Sequence, residues 1–375
     1  MISRKNGFEF WESEVRTDVF FELLKVAGHS RPELSRTLTE EEWGAIYQQA
    51  QKQALAGVLF DVVSALPREQ QPPKALLMKW YGLALQIRRR NLQLNVTAAK
   101  VYARFRKHGF RAAILKGQGV ALLYPNPLSR TCGDIDIWVE GTRKGILKYL
   151  YGTSKPLHVV YHNTPLTLSD NTEVEVHFTP SWMNNFCTNY RLQRFFKRTA
   201  EAQFTHEVEL PEGAGRIAMP TAAFNRVYIL VHIYRHLFGE GIGLRQLMDY
   251  YYVLRQGCTE QEREATVNVL KDLGMWRFVG AVMYVMQEVF GLPQENMLAE
   301  PDEKEGKFFL NEIMMAGNFG HYDQRIVRKA HESLGSRFVR LTKRNMRFWR
   351  SYPSEVFCTP LFKVWHTCWR KYHGY

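Results

Sequence analysis

Two aspartates one residue apart, Asp134 and Asp136, sit inside the apolar run Gly-Asp-Ile-Asp-Ile-Trp-Val at residues 133–139. In an extended strand alternate side chains share a face, so the two carboxylates project together while Ile135, Ile137 and Val139 face the other way. Adjacent carboxylates repel unless a cation joins them. A hard divalent cation such as Mg²⁺ prefers oxygen ligands and also binds phosphates, so the pair suggests a metal site for phosphate chemistry. The bland alternative is an edge strand whose acidic residues merely face water, and the neighbouring residues must decide.

Upstream, Ala112 to Leu115 reads as a short strand, followed by a Lys116-Gly117 turn and a short helix. Glycine at a strand-to-helix turn lets backbone approach a ligand, and a helix N-terminus favours an anion. Lys116 stands where a phosphate would sit. The loop at residues 125–132 then delivers Arg130 just before the aspartates. Downstream, Thr172-Glu173-Val174-Glu175-Val176-His177-Phe178 alternates as a second acidic strand, with Glu173, Glu175 and His177 on one face.

The run from Ile114 to Val139, with Leu-Lys-Gly, Tyr124, Arg130 and Asp-Ile-Asp, resembles the uncharacterised nucleotidyltransferase family of the DNA polymerase β-like superfamily. The resemblance covers a third to half of the chain and implies an α+β fold: a small mixed β-sheet core flanked by N-terminal and C-terminal helical regions. It implies two Mg²⁺ ions, with Mn²⁺ able to replace them, held by Asp134, Asp136 and a carboxylate from the later strand, which maps to Glu175. Glu173 is the substitute. His177 is expected to orient Glu175, and Glu175 to double as general base. Lys116, the Gly117 amide and Arg130 are expected to contact the triphosphate of an NTP. The acceptor is an unspecified small molecule, peptide or polymer hydroxyl. One departure is visible: the superfamily usually carries Gly-Ser or Gly-Gly in the phosphate turn, so the hydroxyl contact is absent here. That leaves open a catalytically inactive nucleotide-binding or antitoxin-like module, and, less favoured, an RNA-modifying transferase.

The chain has 375 residues, 45% hydrophobic and 13% aromatic, enough for two or three packed units. Five scattered cysteines without CxxC spacing fit a reduced cytoplasm better than a disulfide framework or zinc site. No apolar run reaches the ~18 residues of a membrane span, and the first residues lack a signal-peptide core.

The formal charge of +13 is unevenly placed. Residues 325–375 hold twelve Lys or Arg against two Glu, a net of +10, which leaves +3 for the other 324 residues. The basicity therefore reads as belonging to a tail distant from the core, so that phosphate recognition rests on a few residues beside the aspartates. That tail interleaves Arg337, Arg340, Arg344 and Arg347 with Phe338, Phe348, Trp365 and Trp369. The favoured reading is a helical pair packing its aromatic stripe on the body with solvated arginines; an RNA or anionic membrane surface is the alternative partner.

The elements expected to position these groups fall into three regions: helical residues 1–108, an α/β core at 109–220, and helical residues 221–375. Thr39 to Glu42 is a capping box. A long helix runs from Lys74 to His108 and stops at Gly109. Residues 159–162 read as a strand, residues 204–219 as a hairpin and residues 300–305 as an exposed charged loop. On a later helix His232 and His236 lie four apart beside Arg235, more plausibly hydrogen-bonded structural residues than metal ligands. Arg245 and Asp249 are also four apart: they either pair with each other or place one member at the wall of the nucleotide pocket.

Overall fold

The computed structural model describes residues 14–153, 158–168, 172–325 and 332–375. The first seven residues, read for a leader, and Arg328 and Lys329 of the basic tail lie outside them.

Among the described residues, four helices precede the sheet: α1 (Glu14–Ala27), α2 (Glu40–Lys52), α3 (Ala56–Ala65) and α4 (Lys74–Lys107). The expected capping box opens α2, where the Thr39 hydroxyl accepts from the Glu42 N–H at 3.3 Å and the Glu42 carboxylate accepts from the Thr39 N–H at 2.8 Å. Helix α4 buries Trp80, Leu94, Ala98, Val101 and Phe105 and ends before Gly109, whose φ of +82° suits glycine.

Then come β1 (Ala112–Leu115), α5 (Gly117–Ala121), β2 (Ile135–Val139), α6 (Arg143–Thr153), β3 (Asn163–Thr167) and β4 (Glu173–His177). They form a mixed sheet in the order β1-β2-β4-β3, with β2 and β4 parallel and both outer pairs antiparallel. Every residue of β2 is buried, so the acidic strand is central and the water-facing edge alternative fails. The strand expected at residues 159–162 forms at 163–167 instead. Valines 159 and 160 suggested it, but pairing with β4 sets the register, and Pro165 is tolerated because β3 is an edge strand.

Helix α7 (Phe186–Thr205) leads to the hairpin β5 (Glu207–Leu210) and β6 (Gly215–Ala218). Among the described residues, six helices follow, α8 (Ala222–Gly239), α9 (Leu244–Arg255), α10 (Glu260–Asp272), α11 (Trp276–Phe290), α12 (Glu303–Ala316) and α13 (Leu334–Asn345), before a last helix α14 (Pro353–Tyr372). The charged segment 300–305 is loop only as far as Asp302; α12 begins at Glu303. Asp302 caps α12 by accepting from the Glu305 N–H at 3.0 Å, and its acidic first turn suits the positive end of a helix. One continuous apolar core runs from Val19 to Val356 and joins all three regions. The architecture is α+β, a small mixed sheet between helical flanks. No helix among the described residues is long and apolar enough to cross a membrane.

Candidate active site

Register does the assembling. Asp136 on β2 lies directly opposite Glu175 on the parallel strand β4, so their side chains share one face at the strand spacing of about 4.8 Å. His177, two residues beyond Glu175, shares that face. Its Nε2 lies 2.9 Å from Asp136 Oδ1 and 3.3 Å from Glu175 Oε2. Lys116 reaches in from the end of β1, its Nζ 3.0 Å from Asp136 Oδ2. Lys116 holds a φ of +47°, which costs a non-glycine residue about 1–3 kcal/mol. Helix α5 behind it has only five residues, too short for a full macrodipole.

Asp134 stands just before β2, partly buried. Its neighbour Asp136, then burial, push its carboxyl up to about 6. For Asp136 burial acts upward, but Lys116 and the His177 hydrogen bond outweigh it and hold the group low. Burial likewise opposes the charge on His177, yet its bonds to Asp136 and Glu175 keep the imidazole above its ordinary value. Asn163 on β3 donates to Glu175, fixing that carboxylate from the other side.

These groups head a cavity of about 870 Å³. Asp134, Asp136, Glu175, Lys116, Gly117 and Arg130 all line it, while His177 lies behind Asp136 and Glu175. Glu173, the substitute for Glu175, is exposed and is not among the lining residues. Arg130 is committed elsewhere within the wall: its Nε and Nη2 each lie 2.6 Å from Asp249, which also accepts from the Tyr124 hydroxyl at 2.7 Å. Asn91 of α4 donates to the Leu128 and Arg130 carbonyls, and Gly57 of α3 lies so close to the Ser129 carbonyl that a Cβ there would meet it at 2.2 Å. The N-terminal helices thus clamp the loop that carries Arg130.

Arg245 and Asp249 both line the cavity, and the helical pairing between them is superseded by tertiary bonds. Asp249 gives both oxygens to Arg130, and Arg245 donates to the Thr131 carbonyl at 2.8 Å. His232 and His236 line it too; burial, with help from Lys116 and Arg235, keeps both uncharged, His236 near 4. Sequence spacing showed this pair but not where it faces.

The largest correction concerns charge. Arg337, Arg340, Leu341 and Arg344 of α13 line the same cavity, so part of the basic tail belongs to the site. The three arginines, spaced three and four residues apart, were legible as one helix face, but only the packing of α13 shows what that face meets.

Metal fit follows from the donors. One ligand atom each from Asp136, Glu175 and His177 falls within 4.8 Å of the others, inside the reach of a single ion. Two carboxylates suit Mg²⁺ or Mn²⁺, and the imidazole broadens the set toward softer ions. Asp134, with its raised carboxyl, is the natural further ligand: a cation would relieve its repulsion from Asp136. The residues fit a divalent cation, with His177 nearer to it than an orienting role for Glu175 alone implied.

The chain belongs to the uncharacterised nucleotidyltransferase family, whose model matches residues 39–291. No curated protein matches it. Among solved structures, an antigenic nucleotidyltransferase-like protein from Paracoccidioides brasiliensis is 14% identical over 48% of this chain and 87% of its own, with a TM-score of 0.30. A CCA-adding enzyme in complex with CTP is 11% identical over 72% and 78%, with a TM-score of 0.20. A Thermotoga maritima CCA-adding enzyme complexed with tRNA is 13% identical over the same shares, with a TM-score of 0.18.

Proposed function

We propose that the chain is a divalent-metal-dependent nucleotidyltransferase that moves a nucleoside monophosphate from an NTP to an acceptor hydroxyl. The observation that carries this reading is the in-register pair Asp136 and Glu175, with Asp134 beside them, at the head of a cavity lined by cations. In the transfer, a bond forms between the acceptor oxygen and the α-phosphorus, the α–β phosphoanhydride breaks, and pyrophosphate leaves. Bound divalent metal would supply charge neutralisation at the attacking and leaving oxygens. Asp134, Asp136 and Glu175 would hold it, with His177 as a fourth donor. Glu175 would take the acceptor proton at an Oε atom, and the hydrogen bond it accepts from Asn163 supports that role by steadying the carboxylate. Lys116 and the Gly117 amide are assigned to the triphosphate, and Arg130 supports that wall through Asp249.

The test is NTP binding by calorimetry with and without Mg²⁺ or Mn²⁺. Wild type binds in a metal-dependent way, and Asp134→Asn with Asp136→Asn abolishes the dependence. A double variant that binds NTP and metal like wild type sinks the proposal. One observation favours a second reading, a binding module without catalysis: Lys116 and His177 already meet both oxygens of Asp136. Pyrophosphate release from NTPs in the presence of cell extract separates the two, since only the transferase produces it.

A further inference from the structure

Two guanidiniums in this cavity are buried, and a third is half-buried, without an ion-pair carboxylate partner among the described residues. Arg344 of α13 is 6% exposed, its Nε is unpartnered, and its one hydrogen bond goes to the Asn345 side chain at 3.4 Å. The carboxylates whose charge reaches it, Glu312 and Asp323, are taken up by Arg325 and Arg347. Arg245 is 9% exposed, with an unpartnered Nε and one bond to a backbone carbonyl. Arg235, half-buried, lies 4.1 Å over the Trp182 ring with its Nη2 3.0 Å from His236 Nε2, and its Nε is unpartnered. A buried, unpaired charge costs several kcal/mol, so these groups are arranged for an anion that arrives from outside.

Arginine's planar fork matches phosphate oxygens two at a time. On α13, Arg337 is exposed to the cavity, one turn before Arg340, which Glu332 holds at 2.7 Å. A carboxylate therefore already sits on this face, as a phosphate would. The cavity volume is near the top of the ~300–1,000 Å³ typical of one small ligand, which leaves room beyond a nucleotide.

We propose that Arg337 and Arg344 of α13, with Arg235 and Arg245, form a phosphate-binding subsite in this cavity, distinct from the carboxylate cluster. Two sources share that chemistry: a phosphorylated acceptor, or the triphosphate of the NTP itself. The choice between them rests on the transferase reading; the subsite does not.

The probe is inorganic pyrophosphate, titrated calorimetrically into the full chain in the presence of a chelator. Wild type binds it, and Arg337→Gln with Arg344→Gln weakens binding tenfold or more. Arg337→Gln alone, at an exposed position that does not threaten folding, weakens it several-fold. Wild-type affinity in Arg337→Gln and in the folded double variant overturns the proposal, as does a wild type that ignores pyrophosphate. Titration of the same variants with metal and ATP identifies the source. Retained ATP binding assigns the subsite to a phosphorylated acceptor; parallel loss assigns it to the triphosphate. Failure of the Asp134 and Asp136 variants to change ATP binding would remove the transferase reading and leave the metal-free pyrophosphate result standing.

Discussion

Asp249 shows how one side chain can hold a site together without touching its chemistry. It neutralises Arg130 and accepts from Tyr124 in a wall where both charged partners are under a tenth exposed. Removing one member of a buried pair strands the other, so Asp249→Ala is expected to cost about 3–5 kcal/mol in urea unfolding. A loss below ~1 kcal/mol would show that Arg130 finds water or another partner. The residue types were readable in sequence: the aspartate pair, Lys116 and Glu175 all reach the cavity, and His177 is bonded to Asp136 and Glu175 behind them. Their partners were not. Arg130 was expected to greet a phosphate and instead meets an aspartate 119 residues later, because spacing along the chain says nothing about which distant helix packs against a loop.

At the scale of elements, the attachment of α14 carries a pH dependence. Glu355 is buried where it accepts from the Asn184 N–H at 2.7 Å and the Asn185 N–H at 3.4 Å. Burial pushes its carboxyl up from 4.5 to about 7, against those bonds. Because the folded state holds this proton more tightly than the unfolded chain, the contribution is complete below pH 4.5 and is lost as pH rises through about 7. At about 1.4 kcal/mol per unit, the loss is on the order of 3 kcal/mol. Thermal melts of Glu355→Gln at pH 5 and pH 8 should therefore differ less than those of wild type; equal differences would refute the assignment. Helices with strong local signals were legible, as Thr39 and Glu42 show for α2. Strand β3 was not, since its residues are ordinary and only the exposed edge of β4 selects them.

The whole molecule depends on its basic tail, whose aromatic residues pack on the body as their interleaving with the arginines suggested. Phe348 is fully buried and packs edge-on against Phe238 and Phe308, and Tyr352 packs against Tyr234 and Phe278. The tail is part of the core. Phe348→Ala is expected to lower stability by about 3–5 kcal/mol, measured by denaturant unfolding; a near-neutral result would mean the tail docks as a separable arm. By itself the sequence determined the alternation of the two acidic strands, the Lys116-Gly117 turn, the helical flanks and a surplus of tail charge, because each follows from local periodicity and residue type. Tertiary structure decided that β2 and β4 are parallel and in register, which sets Asp136 beside Glu175, and that α13 turns its arginines into the same cavity. Strand pairing and helix docking join residues far apart in the chain, and no local pattern encodes which distant partner buries the most apolar surface.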